Sequence, residues 1–269
     1  MKNKINHTII VTIIALGISS SVFSNETIDL FIWAGQSNAQ SWTGDANFYP
    51  ADVDNLDNQV KLHWTFIDNS SSNGWETMQP QTGLFPKGHF GPEVMFGRKL
   101  IKAGFNPAIF KYTKGGTSIY ADWKKPGKRG YYDDMIINLH AAIHQLESQG
   151  YKVLIRGFIW IQGESDADKP KNAKAYYKNL KQIVNHLRNR VLKNKSIPVI
   201  LGVDEQHPWV VKHPKVVSAH KKIAKNVENV VFTSMIGLPK SDTTHLTPNG
   251  LILHGERIFK AYISINRSE

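Results

Sequence analysis

Three residues near the two ends of the chain have side chains suited to acyl transfer through a serine. Ser37 follows an apolar run that ends in Gly35, and Asp242 and His245 lie near the other end of the chain. A serine at a strand end places its hydroxyl at the rim of a sheet, and an imidazole that titrates near neutral pH can take its proton. A carboxylate three residues before the histidine can orient the ring, although the same spacing is compatible with a helix cap.

Two further segments contain groups that could stabilise the oxyanion formed in acyl transfer. Gly115 and Gly116 follow a second apolar run, and paired glycines let backbone N–H groups approach a ligand closely. Gln162 ends a third apolar run and carries an amide donor. A plain tight turn and a glutamine bonded to nearby backbone are the structural alternatives. The two segments therefore supply candidate oxyanion donors.

The elements that must position these residues have the pattern of an α/β protein. Apolar, β-rich runs occur at 28–34, 107–112, 153–161, 197–203 and 230–234. Between these runs lie segments whose apolar residues recur every three or four positions, as on one face of a helix. These residues are Met135, Leu139, Ile143 and Leu146 in one segment and Tyr177, Leu180, Val184, Leu187 and Val191 in another. This alternation predicts a three-layer α/β/α sandwich around a parallel sheet of about five strands. Because parallel strands end at one edge of the sheet, the candidate residues should lie together there.

The segment 43–91 is long for a connection between a strand and the next helix. It is rich in Asn, Asp, Ser, Gly and Pro and contains one more strand candidate at 59–67. Long connections inside compact domains are often binding walls or lids. We therefore expect one domain, residues 25–269, with an elaborated first crossover.

Other catalytic chemistries find less support in the sequence. A metal site would need a ligand cluster, but His-Glu-x-x-His is absent, and His207 and His213 stand six residues apart around prolines. A glycosidase could use Glu164 and Asp166 as paired carboxylates, yet a spacing of two lets them face opposite ways on an extended chain. We expect neither a metal nor another cofactor.

Composition narrows the class of protein further. The chain has 269 residues, of which 41% are hydrophobic, enough for one substantial core. The formal net charge of +11 is spread over segments such as 171–195 and is typical of a solvated basic surface. No nucleic-acid motif accompanies it, so we expect no nucleic-acid partner. The chain has no cysteine, which leaves neither a disulfide nor a site for lipid modification of cysteine.

The first 24 residues have the layout of a secretory signal peptide. Lys2 and Lys4 precede an uncharged stretch at 8–20, and Val22-Phe23-Ser24 offers small enough residues for cleavage. The apolar stretch is shorter than the ~20 residues that a membrane-spanning helix needs. We therefore predict removal of residues 1–24, a secreted or periplasmic location, and no stable membrane insertion of the cleaved protein.

Four sequence blocks, taken together and in order, resemble the SGNH hydrolases. They are Gly35-Gln36-Ser37-Asn38, Gly115-Gly116-Thr117-Ser118, Trp160-Ile161-Gln162-Gly163-Glu164-Ser165-Asp166 and Asp242-Thr243-Thr244-His245-Leu246-Thr247. More narrowly, they look like the branch that contains sialate O-acetylesterases and the acetylxylan esterases of carbohydrate esterase family six. The third block departs from the wider superfamily, which has Gly-x-Asn-Asp at that place.

The resemblance implies a flavodoxin-like sheet and metal-free ester hydrolysis. Ser37 would be the nucleophile, His245 the base and Asp242 the acid that orients it. The backbone N–H groups of Ser37 and of the Gly115-Gly116 turn, with the side chain of Gln162, would form the oxyanion hole. Side chains within or near these blocks are expected to contact the substrate: Gln36, Asn38, Glu93, Thr117, Glu164 and Asp166.

The expected substrate is an O-acetylated carbohydrate, and the basic surface favours an acidic glycan. Trp42, Trp75 and Trp123 are candidates for stacking on sugar rings, at least half of them being expected in the core. A catalytically silent glycan-binding protein on the same fold, or an SGNH lipid esterase or thioesterase, is the alternative. The sequence does not address the oligomeric state.

Overall fold

A central β-sheet organises the computed structural model, which describes residues 26–67 and 70–266. The predicted signal peptide, residues 1–24, lies outside this range. The described strands are β1 (Thr27–Gly35), β2 (Lys61–Phe66), β3 (Ser70–Ser71), β4 (Glu76–Thr77), β5 (Pro107–Thr113), β6 (Lys152–Ile161), β7 (Val199–Val203) and β8 (Val230–Ser234). All five predicted apolar runs form strands, and the additional candidate at 59–67 forms β2.

The strand order is β3-β2-β5-β1-β6-β7-β8, with β4 also paired to β2. The strands from β2 to β8 in this order pair in parallel, and only the two-residue strands β3 and β4 are antiparallel. Without the edge strands β2, β3 and β4, the five predicted strands have the flavodoxin-like order 2-1-3-4-5. The order reverses at β1, between its neighbours β5 and β6, which makes the end of β1 the expected ligand-binding crevice.

Helices cover both faces of the sheet, as predicted. They are α1 (Ser37–Gln40), α2 (Pro92–Lys102), α3 (Tyr131–Ser148), α4 (Glu164–Ala167), α5 (Pro170–His186), α6 (Pro208–Lys212), α7 (Lys215–Asn226) and α8 (Pro248–Asn266). Short 3₁₀ turns lie at Ala46–Phe48 and Asp57–Gln59, and π-helical turns at Ile119–Trp123 and Leu187–Val191. Prolines begin α2 and α5, where the missing N–H would have no helical partner in any case.

The two faces of β1 belong to two separate cores. Ile28, Leu30 and Ile32 pack with residues of α3, α5 and α7, whereas Phe31 and Trp33 pack with residues of α2 and α8. Successive side chains of a strand point to opposite faces, so an almost continuously apolar strand fills both cores. The result is the α/β/α sandwich that the sequence predicts.

The predicted helical stripes face the sheet. Met135, Leu139 and Leu146 of α3 are fully buried, as are Leu180 and Val184 of α5. Within the described ranges we find no helix that combines the length and apolar character needed to cross a membrane.

Candidate active site

Ser37 lies where β1 ends, at the first position of α1. The chain turns there at Gly35, whose φ is +145° and where a Cβ atom would lie 2.0 Å from the carbonyl oxygen of Ile161. Only glycine fits such a close approach of two strands. The next residue, Gln36, donates its backbone N–H to the same carbonyl at 3.0 Å. This packing fixes the start of α1 and holds Ser37, only 4% exposed, against a surface cavity that it lines.

Asp242 and His245 form a hydrogen-bonded pair on one short loop, residues 240–246, which we call the histidine loop. His245 Nδ1 lies 2.8 Å from Asp242 Oδ2. The other carboxylate oxygen accepts the backbone N–H groups of Thr244 at 2.6 Å and His245 at 2.7 Å. Partial burial raises the pKa of Asp242, but these hydrogen bonds outweigh it and bring the pKa down to about 2. The carboxylate is therefore ionised at neutral pH and can orient the ring.

Asn38, the residue after Ser37, holds the histidine loop in place. Its Nδ2 donates to the carbonyl of Thr244 at 3.0 Å, and its Oδ1 accepts the N–H of Leu246 at 3.2 Å. The side chain is 2% exposed and does not line the cavity. Asn38 was expected to contact substrate; in the structure, both ends of its amide bind the loop on either side of His245.

Lys240 provides a second anchor for the histidine loop. Its ammonium group donates to the carbonyl of Thr243 at 2.7 Å and forms an ion pair with Asp204, whose side chain is only 2% exposed. Asp204 directly follows β7. The loop that carries His245 is therefore tied to two strand ends, β1 through Asn38 and β7 through Asp204.

The cavity has a volume of about 430 Å³ and opens to solvent beside Ser37 and His245. Two tryptophans at its rim are exposed, Trp42 by 48% and Trp209 by 44%. The ring of Trp42 is stacked near that of His245, with centroids 6.3 Å apart and planes inclined by 29°. The cavity is lined by Gln36, Ser37, Trp42, Gly115, Gly116, Glu164, Ser165, His207, Trp209, Thr244 and His245.

The candidate oxyanion donors differ in their availability. Ser37 is in the first turn of α1, where its N–H has no carbonyl one turn earlier to bind. The N–H of Gly115 donates to Gln40 Oε1 at 2.6 Å and is occupied. Gly116 adopts a left-handed φ of +70°, lines the cavity, and has an N–H without a hydrogen bond in the described part of the chain. The geometry favours Gly116 over Gly115 as the donor of this turn.

Gln162 lies behind the cavity rather than in its wall. Its side chain is fully buried, and its Nε2 donates to the carbonyl of Thr117 and to Asp166 Oδ2, both at 2.8 Å. Its Oε1 accepts the hydroxyl of Tyr176 at 2.9 Å. The two hydrogens of this amide thus have three protein acceptors within reach, the third being Gln36 Oε1 at 3.2 Å. Gln162 is therefore surrounded by protein partners and does not line the cavity.

Three more residues expected at the substrate have internal partners instead. Glu93 is fully buried and pairs with Lys111 at 2.8 Å. Thr117 Oγ1 donates to the carbonyl of Lys114 at 2.8 Å and accepts the indole N–H of Trp123 at 2.9 Å.

Asp166, the third of them, is fully buried and accepts the N–H groups of Ile119 at 2.7 Å and Tyr120 at 3.1 Å. It holds the start of the π-helical turn. None of Glu93, Thr117 and Asp166 lines the cavity, because a buried polar group must take its hydrogen bonds from the protein around it.

Glu164 lies in the cavity wall, as does Gln36, so these two of the six expected contacts reach the cavity. Glu164 is 1% exposed, its Oε1 accepts the N–H of Asp204 at 2.9 Å, and its Oε2 has no partner within the described residues. Burial, opposed by hydrogen bonds from the backbone, raises the pKa of Glu164 to about 7. Both the protonated and the ionised form of this carboxyl group are therefore accessible near neutral pH.

The loop after β7 brings His207 and Trp209 to the cavity, and sequence reasoning did not single it out as part of the site. His207 Nδ1 accepts the N–H of Trp209 at 3.2 Å, and burial lowers the pKa of His207. The sequence does indicate that this loop belongs to the site, because residues 204–209 follow a predicted parallel strand and so lie at the same edge of the sheet. Of the tryptophans named from the sequence, Trp42 lines the cavity, while Trp123 is fully buried and Trp75 is partly buried against the core.

Within residues 26–67 and 70–266, no three His, Asp or Glu side chains come together in a way that could hold a metal ion. The arrangement at the cavity is a serine, a carboxylate-oriented imidazole, a free backbone donor turn and two exposed indole rings. Such a set is suited to acyl transfer from an ester carried by a ring-shaped substrate.

Known proteins share this fold. A protein of Arabidopsis thaliana named "Probable carbohydrate esterase" is 31% identical over 112 residues, which are 41% of this chain and 41% of the plant protein. An Arabidopsis thaliana structure superposes with a TM-score of 0.65 at 23% identity, covering 88% of this chain and 98% of that one. The structure of a carbohydrate acetylesterase from Xanthomonas citri superposes with a TM-score of 0.60 at 20% identity, covering 90% of this chain and 57% of that one. At these identities the two structures establish the fold alone, a central parallel sheet with helices on both faces.

Residues 27–264 match the family described as "Carbohydrate esterase, sialic acid-specific acetylesterase". The match runs from the first residue of β1 into the last helix and includes each part of the cavity. The chain therefore belongs to this carbohydrate esterase family, whose members hydrolyse carboxylic esters.

Proposed function

We propose that the protein is a carbohydrate O-acetylesterase that works through a serine acyl-enzyme. Ser37 Oγ attacks the acetyl carbonyl while His245 takes the hydroxyl proton, and the sugar oxygen leaves with a proton returned by His245. Water, activated by the same imidazole, then releases acetate and restores Ser37. Asp242 keeps the ring oriented and stabilises its protonated form.

The observation that carries this proposal is the Asp242–His245 pair at 2.8 Å, on a loop whose imidazole shares one cavity with Ser37. Ser37 lies near the beginning of the described chain and the Asp242–His245 pair near its end, and Asn38 and Lys240 hold the loop that carries the pair. A protein that only bound glycans would have no use for an ionised carboxylate behind a cavity-facing histidine beside a serine. This favours catalysis over the silent glycan-binding alternative.

The carbohydrate substrate is supported by the family and by the two indole rings at the cavity rim. Trp42 and Trp209 offer flat apolar faces on which sugar rings stack. The cavity lining contains neither lysine nor arginine among the described residues. A group of cations, Lys124, Lys125 and Lys128, lines a separate cavity together with Lys178. A preference for acidic glycans would therefore act through cations outside the cavity, such as these lysines, and would weaken with salt.

We further propose that the enzyme is exported, on the basis of the signal-peptide layout of residues 1–24. N-terminal sequencing of the protein recovered outside the cytoplasm tests this proposal, and a product that retains residues 1–24 would contradict it.

The serine mechanism is tested with a fluorophosphonate probe and an aryl acetate. Wild-type protein should be labelled and should release acetate, and Ser37→Ala should lose both reactions. Ser165→Ala, which alters another serine of the cavity lining, is the matched control and should retain labelling. Near-wild-type turnover by Ser37→Ala would refute the mechanism. Acetate release across acetylxylan and O-acetylated sialates then identifies the sugar.

A further inference from the structure

Gln36 presents an amide to the cavity directly beside the nucleophile. It is 3% exposed, lines the cavity with Ser37, and is held at the end of β1 by its own backbone N–H on Ile161. A side chain buried to this degree has few rotamers available, so its polar atoms have defined positions. The orientation of the amide decides which of its two ends faces a ligand.

Three donors fix the orientation of this amide. Gln36 Oε1 accepts the backbone N–H groups of Gly163 at 3.4 Å and Ser165 at 3.3 Å, and the side-chain Nε2 of Gln162 at 3.2 Å. A backbone N–H can only donate, so the atom facing Gly163 and Ser165 must be the oxygen. The Nε2 end then points away from α4, and it has no hydrogen-bond partner within the described residues.

Gln162, by contrast, contacts the side chain of Gln36 rather than the cavity. The hydroxyl of Tyr176 donates to Gln162 Oε1 at 2.9 Å, and Gln162 Nε2 reaches Gln36 Oε1 at 3.2 Å. The three side chains form a chain of hydrogen bonds that runs from the buried hydroxyl to the cavity. Such chains polarise successive donors and fix their geometry.

We propose that the side-chain amide of Gln36 is the third oxyanion donor, beside the backbone N–H groups of Ser37 and Gly116. Gln162 is a positioning residue that acts through Gln36. As Ser37 Oγ bonds to the acetyl carbon, the carbonyl π electrons move to oxygen and the serine proton passes to His245. Gln36 Nε2–H donates a hydrogen bond to that oxygen and transfers no proton. This inference rests on the proposed serine mechanism and deepens it.

Two substitutions separate the donor of Gln36 from its anchoring oxygen. Gln36→Glu keeps an acceptor for Gly163 and Ser165 but has no amide donor, and Gln36→Ala removes both functions. Each should lower kcat by about 10²–10³, the effect of losing one oxyanion donor, with a much smaller change in KM. Gln182→Ala, an exposed amide on α5, is the matched control and should leave kcat unchanged.

A transition-state readout distinguishes a donor from a merely structural residue. A benzyl trifluoromethyl ketone forms a hemiketal oxyanion with an active serine, and its inhibition constant should rise in Gln36→Glu by the same factor as kcat falls. Circular dichroism and thermal melting identify variants that fail to fold. If folded Gln36→Glu and Gln36→Ala keep kcat and ketone affinity within about threefold of wild type, the inference is wrong, since loss of a donor requires at least tenfold more.

The role of Gln162 is tested by combining substitutions. If Gln162 acts through Gln36, Gln162→Ala should lower kcat in the wild-type background and have little further effect in Gln36→Ala. Independent, additive losses would instead assign Gln162 its own contact with the oxyanion. If Ser37→Ala is inactive but the Gln36 variants are as active as wild type, only this inference is overturned. If Ser37→Ala is itself active, the proposed function is overturned.

Discussion

Replacing Glu164 with glutamine should change how the stability of the protein depends on pH. The side chain is 1% exposed, and burial raises the pKa of its carboxyl group from 4.5 to about 7. In the unfolded chain the group titrates near its ordinary value. The folded state therefore holds the proton more tightly than the unfolded state does between pH 4.5 and pH 7.

The magnitude follows from the two pKa values. Each pH unit between them contributes about 1.4 kcal/mol, so the raised pKa corresponds to about 3 kcal/mol. The sign is set by the direction of the change: the stabilising contribution of the protonated group is complete below pH 4.5 and is lost as pH rises through about 7. The glutamine amide of the variant cannot ionise and lacks this dependence. Asp166, whose pKa burial raises to about 6, is present in both proteins, so its contribution cancels in the comparison.

Urea unfolding at half-unit intervals from pH 4.5 to pH 8.5 measures the effect. The free energy of unfolding of wild type minus that of Glu164→Gln should decrease by about 3 kcal/mol across this range. Glu147→Gln, at an exposed position on α3, is the matched control and should give a flat difference. A flat difference for Glu164→Gln as well would refute the reasoning that burial holds this carboxyl group protonated.

Three further predictions concern the framework of the site. Lys111→Met should cost about 3–5 kcal/mol in urea unfolding, because it leaves Glu93 buried without its partner at 2.8 Å; a cost below about 1 kcal/mol would contradict this. Asn38→Ala should lower kcat about tenfold or more in acetate-release assays and lower the melting temperature by several degrees, since it removes two hydrogen bonds worth about 1 kcal/mol each from the histidine loop; unchanged kcat would show that the loop keeps its position without them. Gly35→Ala should destabilise by more than about 4 kcal/mol, whereas Gly104→Ala, where a Cβ meets nothing within 4 Å, should cost about 1 kcal/mol; equal melting temperatures would refute the steric argument.

The layers of the fold and the place of Ser37 at the end of β1 could be read from the sequence because both depend on local patterns. The apolar run before Gly35 is long enough to fill two cores, and its end must reach the sheet edge where parallel strands terminate. Asp242 and His245 are close in sequence, so one short loop suffices to pair them. These inferences required no knowledge of how distant side chains pack.

The partners of the buried polar residues could not be read in the same way. Gln162 and Asp166 are polar residues at a strand end, the type and place typical of a ligand contact, yet they bind each other and the backbone. Whether such an amide faces a cavity depends on Tyr176 and Gln36, 14 and 126 residues away in sequence. For Glu93 the sequence contains a clearer indication of an internal role. Lys111 lies inside an apolar strand, and a buried lysine requires an acidic partner such as Glu93.

The bond between Asn38 and the histidine loop spans 206 residues of sequence. The proposed nucleophile therefore belongs to the beginning of the domain, and the proposed base is synthesised near its end. During synthesis or refolding, the segment with Ser37 can be complete long before β8 and the histidine loop have formed, and during that time it has no general base. If the proposed mechanism holds, recovery of esterase activity is a late event, and hydrolysis of an aryl acetate reports that the last strand and its following loop have docked.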